Sequence, residues 1–295
     1  MTNDQPSPSS VGDMQYGAAN SRRLLVHTIQ ALGPFKDAVT VIGAHAVHVW
    51  VEKAWGPTAM ETTRDGDIVL NPEFVTDDPK LIDLMAGVGI VPALDDRPGI
   101  YGFADEAGLD WQQRTTVDLI VPEAYAGPGR RAARIAGQHH AASRALGLEL
   151  AVWDRSLTVL ATIDEPIESV EAYVAGPAAL LTAKSHKVHE RLAGVTARPD
   201  RQKPKDSGDI ALLMMVSDPE VVAGIMVATA GVHPETKSVI ANSATWLAEM
   251  FGGNTAIPHQ HAVDSLSTRF DETEVTVAID TWLEKFTPSV AMFPN

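Results

Sequence analysis

Two aspartates stand one residue apart in Thr63-Arg64-Asp65-Gly66-Asp67-Ile68-Val69-Leu70. Residues i and i+2 of a strand point to the same side. Asp65 and Asp67, at the mouth of a strand expected over 66–71, therefore offer two carboxylates on one face. A polar turn ahead of a strand looks the same, so the rest of the chain has to decide. A strand over 38–43 turns at Gly43 into a helix over 44–56, whose first free N–H groups suit phosphate. Asp118 sits in an otherwise apolar run, TVDLIVP, where a charge is costly unless it is paired or binds a cation. Lys184 and Asp206 bracket the only strongly basic stretch of the sequence. Three carboxylates and a lysine suit Mg²⁺ and a phosphate ester. The ion is hard, takes oxygen ligands, and often bridges carboxylates and substrate phosphates. Phosphoryl transfer needs positioning and charge neutralisation more than covalent chemistry.

The elements that must position these residues follow from pattern. Helices are expected over 21–33, 44–56 and 79–89, the last capped by Asp77 or Asp78. Strands are expected over 38–43, 66–71, 114–122, 148–154, 157–163 and 169–175. After Gly176-Pro177 the texture turns helical, over 178–194, 206–217, 219–231, 235–253 and 271–286. The fold class is α/β (α+β): a mixed-sheet core over 21–175, then a helical domain over 176–295.

Composition narrows the function. The 295 residues carry 23 basic and 38 acidic side chains, a net charge of −15, so bulk charge does not draw the protein to nucleic acid. The stretch 184–205 runs against that balance, with seven basic residues and two acidic ones, whereas 206–295 holds three basic and twelve acidic. Absence of cysteine removes thiolate metal sites, iron–sulfur clusters and cysteine nucleophiles. Residues 1–20 hold two acids, no Lys or Arg and no apolar run, and are expected to be a disordered tail. Asp218, Pro219 and Glu220 interrupt the longest apolar region, so no membrane span is expected. The protein reads as cytoplasmic and soluble.

In order, Gly43-Ala44 with its helix, Thr63-x-Asp65-x-Asp67, Asp118 on a later strand, GPAALLTAKSHKVHER (176–191) and Lys205-Asp206-x-x-Asp209 resemble the polymerase-β-like minimal nucleotidyltransferases. Specifically, they resemble the AbiEii/MenT group of bacterial toxin–antitoxin systems. The likeness spans roughly 25–215, and its A-K-x-x-K…E-R half is more distinctive than the D-x-D half. It implies that Asp65, Asp67 and Asp118 hold Mg²⁺, with Asp118 as ligand or general base toward an acceptor hydroxyl. It further implies that Thr63 and the Gly43 turn contact phosphate, that Lys184 binds the triphosphate, and that Asp206 orients that lysine or the nucleotide. Lys187 and Asp209 join the expected nucleotide-binding set. The implied activity moves a nucleoside monophosphate from a nucleoside triphosphate to an acceptor, with a tRNA 3′ end as the expected acceptor and an antitoxin protein as a possible partner. Alternatives are transfer to a protein hydroxyl (NMPylation) and an inactive nucleotidyltransferase fold that only binds. The chain departs from the pattern at Ala44, where relatives carry Gly or Ser, and at Glu61, where many carry Arg.

Other signals have plainer readings. Gly127-Pro128-Gly129-Arg130-Arg131 reads as an anion nest or a loop, and Arg130, Arg131 and Arg134 are candidates to meet RNA phosphates. His45/His48 and His186/His189 share helix faces but lack a third strong ligand for zinc, as do His139-His140 and His259/His261. Trp50, Trp55, Trp246 and Trp282 and the Met-rich run 210–216 read as core.

Overall fold

The structure is a computed structural model, and it describes residues 11–58, 63–94, 96–110, 113–194 and 203–291. Helix α1 (Val11–Ala31) leads into strand β1 (Val39–Ile42), helix α2 (Gly43–Trp55) and strand β2 (Asp65–Leu70). Then come α3 (Leu81–Ala86), β3 (Ile90–Pro92), β4 (Ile100–Phe103), β5 (Thr116–Pro122), β6 (Ser143–Ala145), β7 (Arg155–Ala161) and β8 (Ser169–Ala175). Six helices follow: α4 (Pro177–Ala193), α5 (Pro204–Val216), α6 (Pro219–Val232), α7 (Lys237–Phe251), α8 (Ile257–Leu266) and α9 (Glu272–Val290).

Among the described residues, eight strands form one mixed sheet in the order β3-β4-β5-β2-β1-β8-β7, with β6 also on β5. The expected mixed sheet followed by helices is what the chain forms. β2 lies antiparallel to β1 and parallel to β5. Strand β5 gives its other edge to β4 near Asp118 and to β6 beyond Ile120. α1 covers the side to which Gly66 points: a Cβ there would stand 3.3 Å from Leu25. Asp65 and Asp67 point to the opposite side, as strand alternation requires. One buried apolar cluster runs from α1 and the central strands into α4–α9, so the helical part and the sheet share a core.

Several expectations need correction. α1 starts at Val11, with Ala18 and Asn20 buried, so the tail expected over 1–20 is helical in its second half. Residues 148–154 are not a strand. Gly147 has φ +92°, the buried Glu149 accepts its N–H at 2.9 Å, and this tight turn starts a 3-10 helix over Glu149–Val152. Neither Asp77 nor Asp78 caps α3. Its first N–H, on Leu81, is met at 2.9 Å by the side chain of the distant Gln138. Trp282 is buried, but Trp55 is exposed and Trp246 stacks on His189. Among the described residues no single helix is long and apolar enough to cross a membrane; the apolar pair α5 and α6 is bent by 104°. Residues 1–10, Glu61 and Arg198 to Arg201 of the basic stretch lie outside the described residues.

Candidate active site

Register brings the acids together. Asp67 of β2 is directly opposite Asp118 of β5 in the parallel ladder, and Asp65 is opposite Thr116. Neighbouring strands lie about 5 Å apart, so Asp67 and Asp118 are adjacent and Asp65 is two residues along the same face. The three fields interact. Burial raises the Asp118 carboxyl to about 8, helped by Asp67 and Asp65. Asp67 is also raised, by burial first and Asp65 second, against the pull of Lys187, Lys184 and Lys205. Asp65 goes the other way: burial pushes it up, but the Thr63 hydroxyl, Lys187 and Lys205 outweigh that and lower it.

Gly43 makes the opposite wall. It has φ +71°, and a Cβ there would collide with the Asp67 carboxylate. Only glycine lets β1 turn into α2 at this point while Asp67 packs against the backbone. Two residues on, His45 is fully buried. Arg22 Nε donates to its Nδ1 at 3.0 Å, leaving Nε2–H to donate to Ser21 Oγ at 2.6 Å. Burial, then Arg22, hold its pKa far down, so it is a neutral brace joining α1 to the first turn of α2.

α4 and α5 bring the cations. Lys184 is buried, and its ammonium donates to Asp206 Oδ1 at 3.2 Å and Asp209 Oδ2 at 2.5 Å. Asp206 also pairs with Arg191 and, at 3.4 Å, with Lys187. Lys184 is thus clamped by Asp206, the acid expected to orient it or the nucleotide, and by Asp209, expected to bind nucleotide, while Lys187, one turn on, acts on all three strand aspartates. Burial and Lys184 lower the Lys187 pKa, but 47% of its side chain is exposed, so water offsets much of that push. Lys187 is the more exposed of the two lysines beside these acids. Thr63 departs from expectation: its hydroxyl donates to Asp65 Oδ1 at 2.7 Å, which positions that carboxylate instead of facing a phosphate.

The donor set suits a hard divalent ion: acidic oxygens, two of them with pKa values raised by burial and then by neighbouring carboxylates. Still, among the described residues no three His, Asp or Glu groups are pre-arranged around a point. Asp65 is turned to Thr63 and Asp67 to Gly43. A cavity of about 1130 Å³ between α1, α2 and β7, lined by Arg22, His48, Trp50, Ser156 and Val159 among others, touches none of the three aspartates. Converging charge, not volume, marks the candidate site.

Comparison with protein families, curated proteins and solved structures gives no match. The chemistry therefore rests on this chain's own geometry.

Three supporting residues escaped the sequence reading. Asp154 accepts the Ala179 N–H at 2.8 Å and, packed against Gly176, holds the start of α4. Arg22 braces His45. Arg144 grips Glu123. Asp154 and Arg22 each carried a signal, a charge flanking an apolar run.

Proposed function

We propose that the protein is a Mg²⁺-dependent nucleotidyltransferase that moves a nucleoside monophosphate from a nucleoside triphosphate to an acceptor hydroxyl, with a tRNA 3′ end as the acceptor and a toxin-like role in the cell. The single observation that carries this is the in-register placement of Asp67 beside Asp118, with Asp65 on the same face, against the Gly43 turn and Lys187.

Asp65, Asp67 and Asp118 would hold the ion, which would supply Lewis-acid stabilisation of phosphate charge. The first N–H groups of α2 bind phosphate oxygens, and Lys187 neutralises the triphosphate. Lys184, held by Asp206 and Asp209, fixes α4 to α5 and so fixes Lys187. The acceptor oxygen attacks the α-phosphorus, the bond to the bridging oxygen breaks, and pyrophosphate leaves. Asp118, in register beside Asp67, would accept the hydroxyl proton once the bound ion keeps its carboxyl ionised.

Purified protein with α-labelled triphosphates, Mg²⁺ and total RNA should label tRNA, and Asp65→Ala should abolish it. Label on protein would instead support NMPylation. One observation favours a second reading, a fold that binds nucleotide without transferring it: Asp65 and Asp67 are turned apart, toward Thr63 and Gly43. Calorimetry with Mg²⁺ and a non-hydrolysable triphosphate, run beside the labelling, separates the two: binding without any label favours the second.

A further inference from the structure

A smaller cavity, about 470 Å³, opens on the other side of Asp118. It forms where β4 leaves the edge of β5 and β6 takes it over. Ile100 pairs with Asp118, and two residues later Ser143 pairs with Ile120. The chain reaches Ile100 through Gly99, at φ +83°, where a Cβ would collide with the backbone of Leu119 and Ser143. The walls carry four guanidinium groups, Arg97, Arg130, Arg131 and Arg144, against two acids, Asp96 and Asp118. In a chain of net charge −15 that is a local reversal of sign.

Arg144 is the buried guanidinium among the cavity's lining residues. Only 8% of its side chain is exposed. Its Nε and Nη2 donate to the two oxygens of Glu123 at 2.7 and 2.6 Å, which locks the plane of the group. The remaining nitrogen, Nη1, is buried and has no hydrogen-bond partner. Native proteins rarely leave a buried charged donor unmet, and an Arg fork fits the oxygens of a phosphate. Arg97, Arg130 and Arg131 are exposed at the rim and make no ion pair among the described residues.

We propose that this cavity is an oxyanion subsite for a phosphate of the acceptor, so that the hydroxyl presented to Asp118 belongs to a phosphodiester chain and not to a protein. This rests on the transfer reading above and narrows its acceptor. Arg144 supplies the fixed, desolvated contact, and the three rim arginines steer the chain by charge.

The probe is a fluorescent single-stranded RNA oligonucleotide with a free 3′ hydroxyl, followed by anisotropy in EDTA without nucleotide. Loss of a charge-assisted contact is worth about tenfold or more in affinity. Arg144→Gln should weaken binding by at least that factor. The triple variant Arg97→Ala/Arg130→Ala/Arg131→Ala, which changes only exposed side chains, should weaken it and flatten its salt dependence. Both should keep wild-type affinity for Mg²⁺ with a non-hydrolysable triphosphate. Asp67→Asn should do the reverse, losing the triphosphate and keeping the oligonucleotide. Unchanged oligonucleotide affinity in both arginine variants would overturn the subsite. So would an equal loss of triphosphate affinity, or full displacement of the oligonucleotide by inorganic phosphate at matched phosphate concentration. A wild-type protein that binds the oligonucleotide through these arginines yet transfers nothing would leave the subsite standing and remove the transfer reading.

Discussion

Asp118→Asn should stabilise the metal-free protein at pH 8 and do little at pH 4.5. The folded carboxyl titrates at about 8, against an ordinary value of 3.8, because it is buried beside Asp67 and Asp65. The sign follows from linkage. Below pH 4 the group is protonated in both folded and unfolded chains and costs nothing. Between 4 and 8 the unfolded chain releases its proton while the folded one keeps it, so stability falls with rising pH; above 8 the loss is constant. At about 1.4 kcal/mol per pH unit, the interval sets an upper bound on the order of 6 kcal/mol. Residual water and sharing of the proton with Asp67 reduce this to roughly 2–3 kcal/mol. For a chain of this length, each kcal/mol moves Tm by about 2–4 °C. Melting followed by circular dichroism in EDTA should therefore place Asp118→Asn about 4–12 °C above wild type at pH 8, with the gap closing by pH 4.5. Mg²⁺ should raise the wild-type Tm at pH 8 and leave the variant unmoved. A variant that melts below wild type by the same margin at both pH values would refute the claim that this carboxylate is held under electrostatic strain.

Four further substitutions probe separate parts of the site. Gly43→Ala puts a Cβ at φ +71° against Asp67; it should cost about 1–2 kcal/mol in urea denaturation and lower triphosphate affinity by more than that cost explains. Lys184→Met leaves two buried aspartates without their shared ammonium and should destabilise by about 3–5 kcal/mol, whereas Lys187→Met should leave the urea midpoint near wild type and raise the triphosphate Kd, measured by calorimetry. Asp154→Ala removes the acceptor at the start of α4 and should cost about 1–2 kcal/mol, read from the urea midpoint.

The carboxylate cluster was legible because an acid inside an apolar strand needs an explanation, and both DGDIVL and TVDLIVP offered one. That β2 and β5 are neighbours in register is a long-range fact that no local pattern carries. That Lys184 is buried in an ion pair while Lys187 stays half-exposed was not legible either. Both lie on α4, three residues apart, and only the packing of α5 decides which meets Asp209. Residues 148–154 looked like a strand because LELAVWD is a short apolar run, and such a run alone does not separate a strand from a buried 3-10 turn. α8 went unseen since IPHQHAVDSL mixes polar and apolar residues without a clean stripe. Arg144 follows a glycine-rich loop in which sequence gives no reach, so its grip on Glu123 and its unmet Nη1 emerge only in three dimensions.

The central claim, that three strand carboxylates cradle a divalent ion together with a nucleotide, is tested most directly by calorimetric titration of a non-hydrolysable nucleoside triphosphate with and without Mg²⁺, in wild type and in Asp67→Asn. Binding that requires Mg²⁺ in wild type and vanishes in the folded variant is the result expected. Equal binding in both proteins, or none in wild type at any Mg²⁺ concentration, would contradict it.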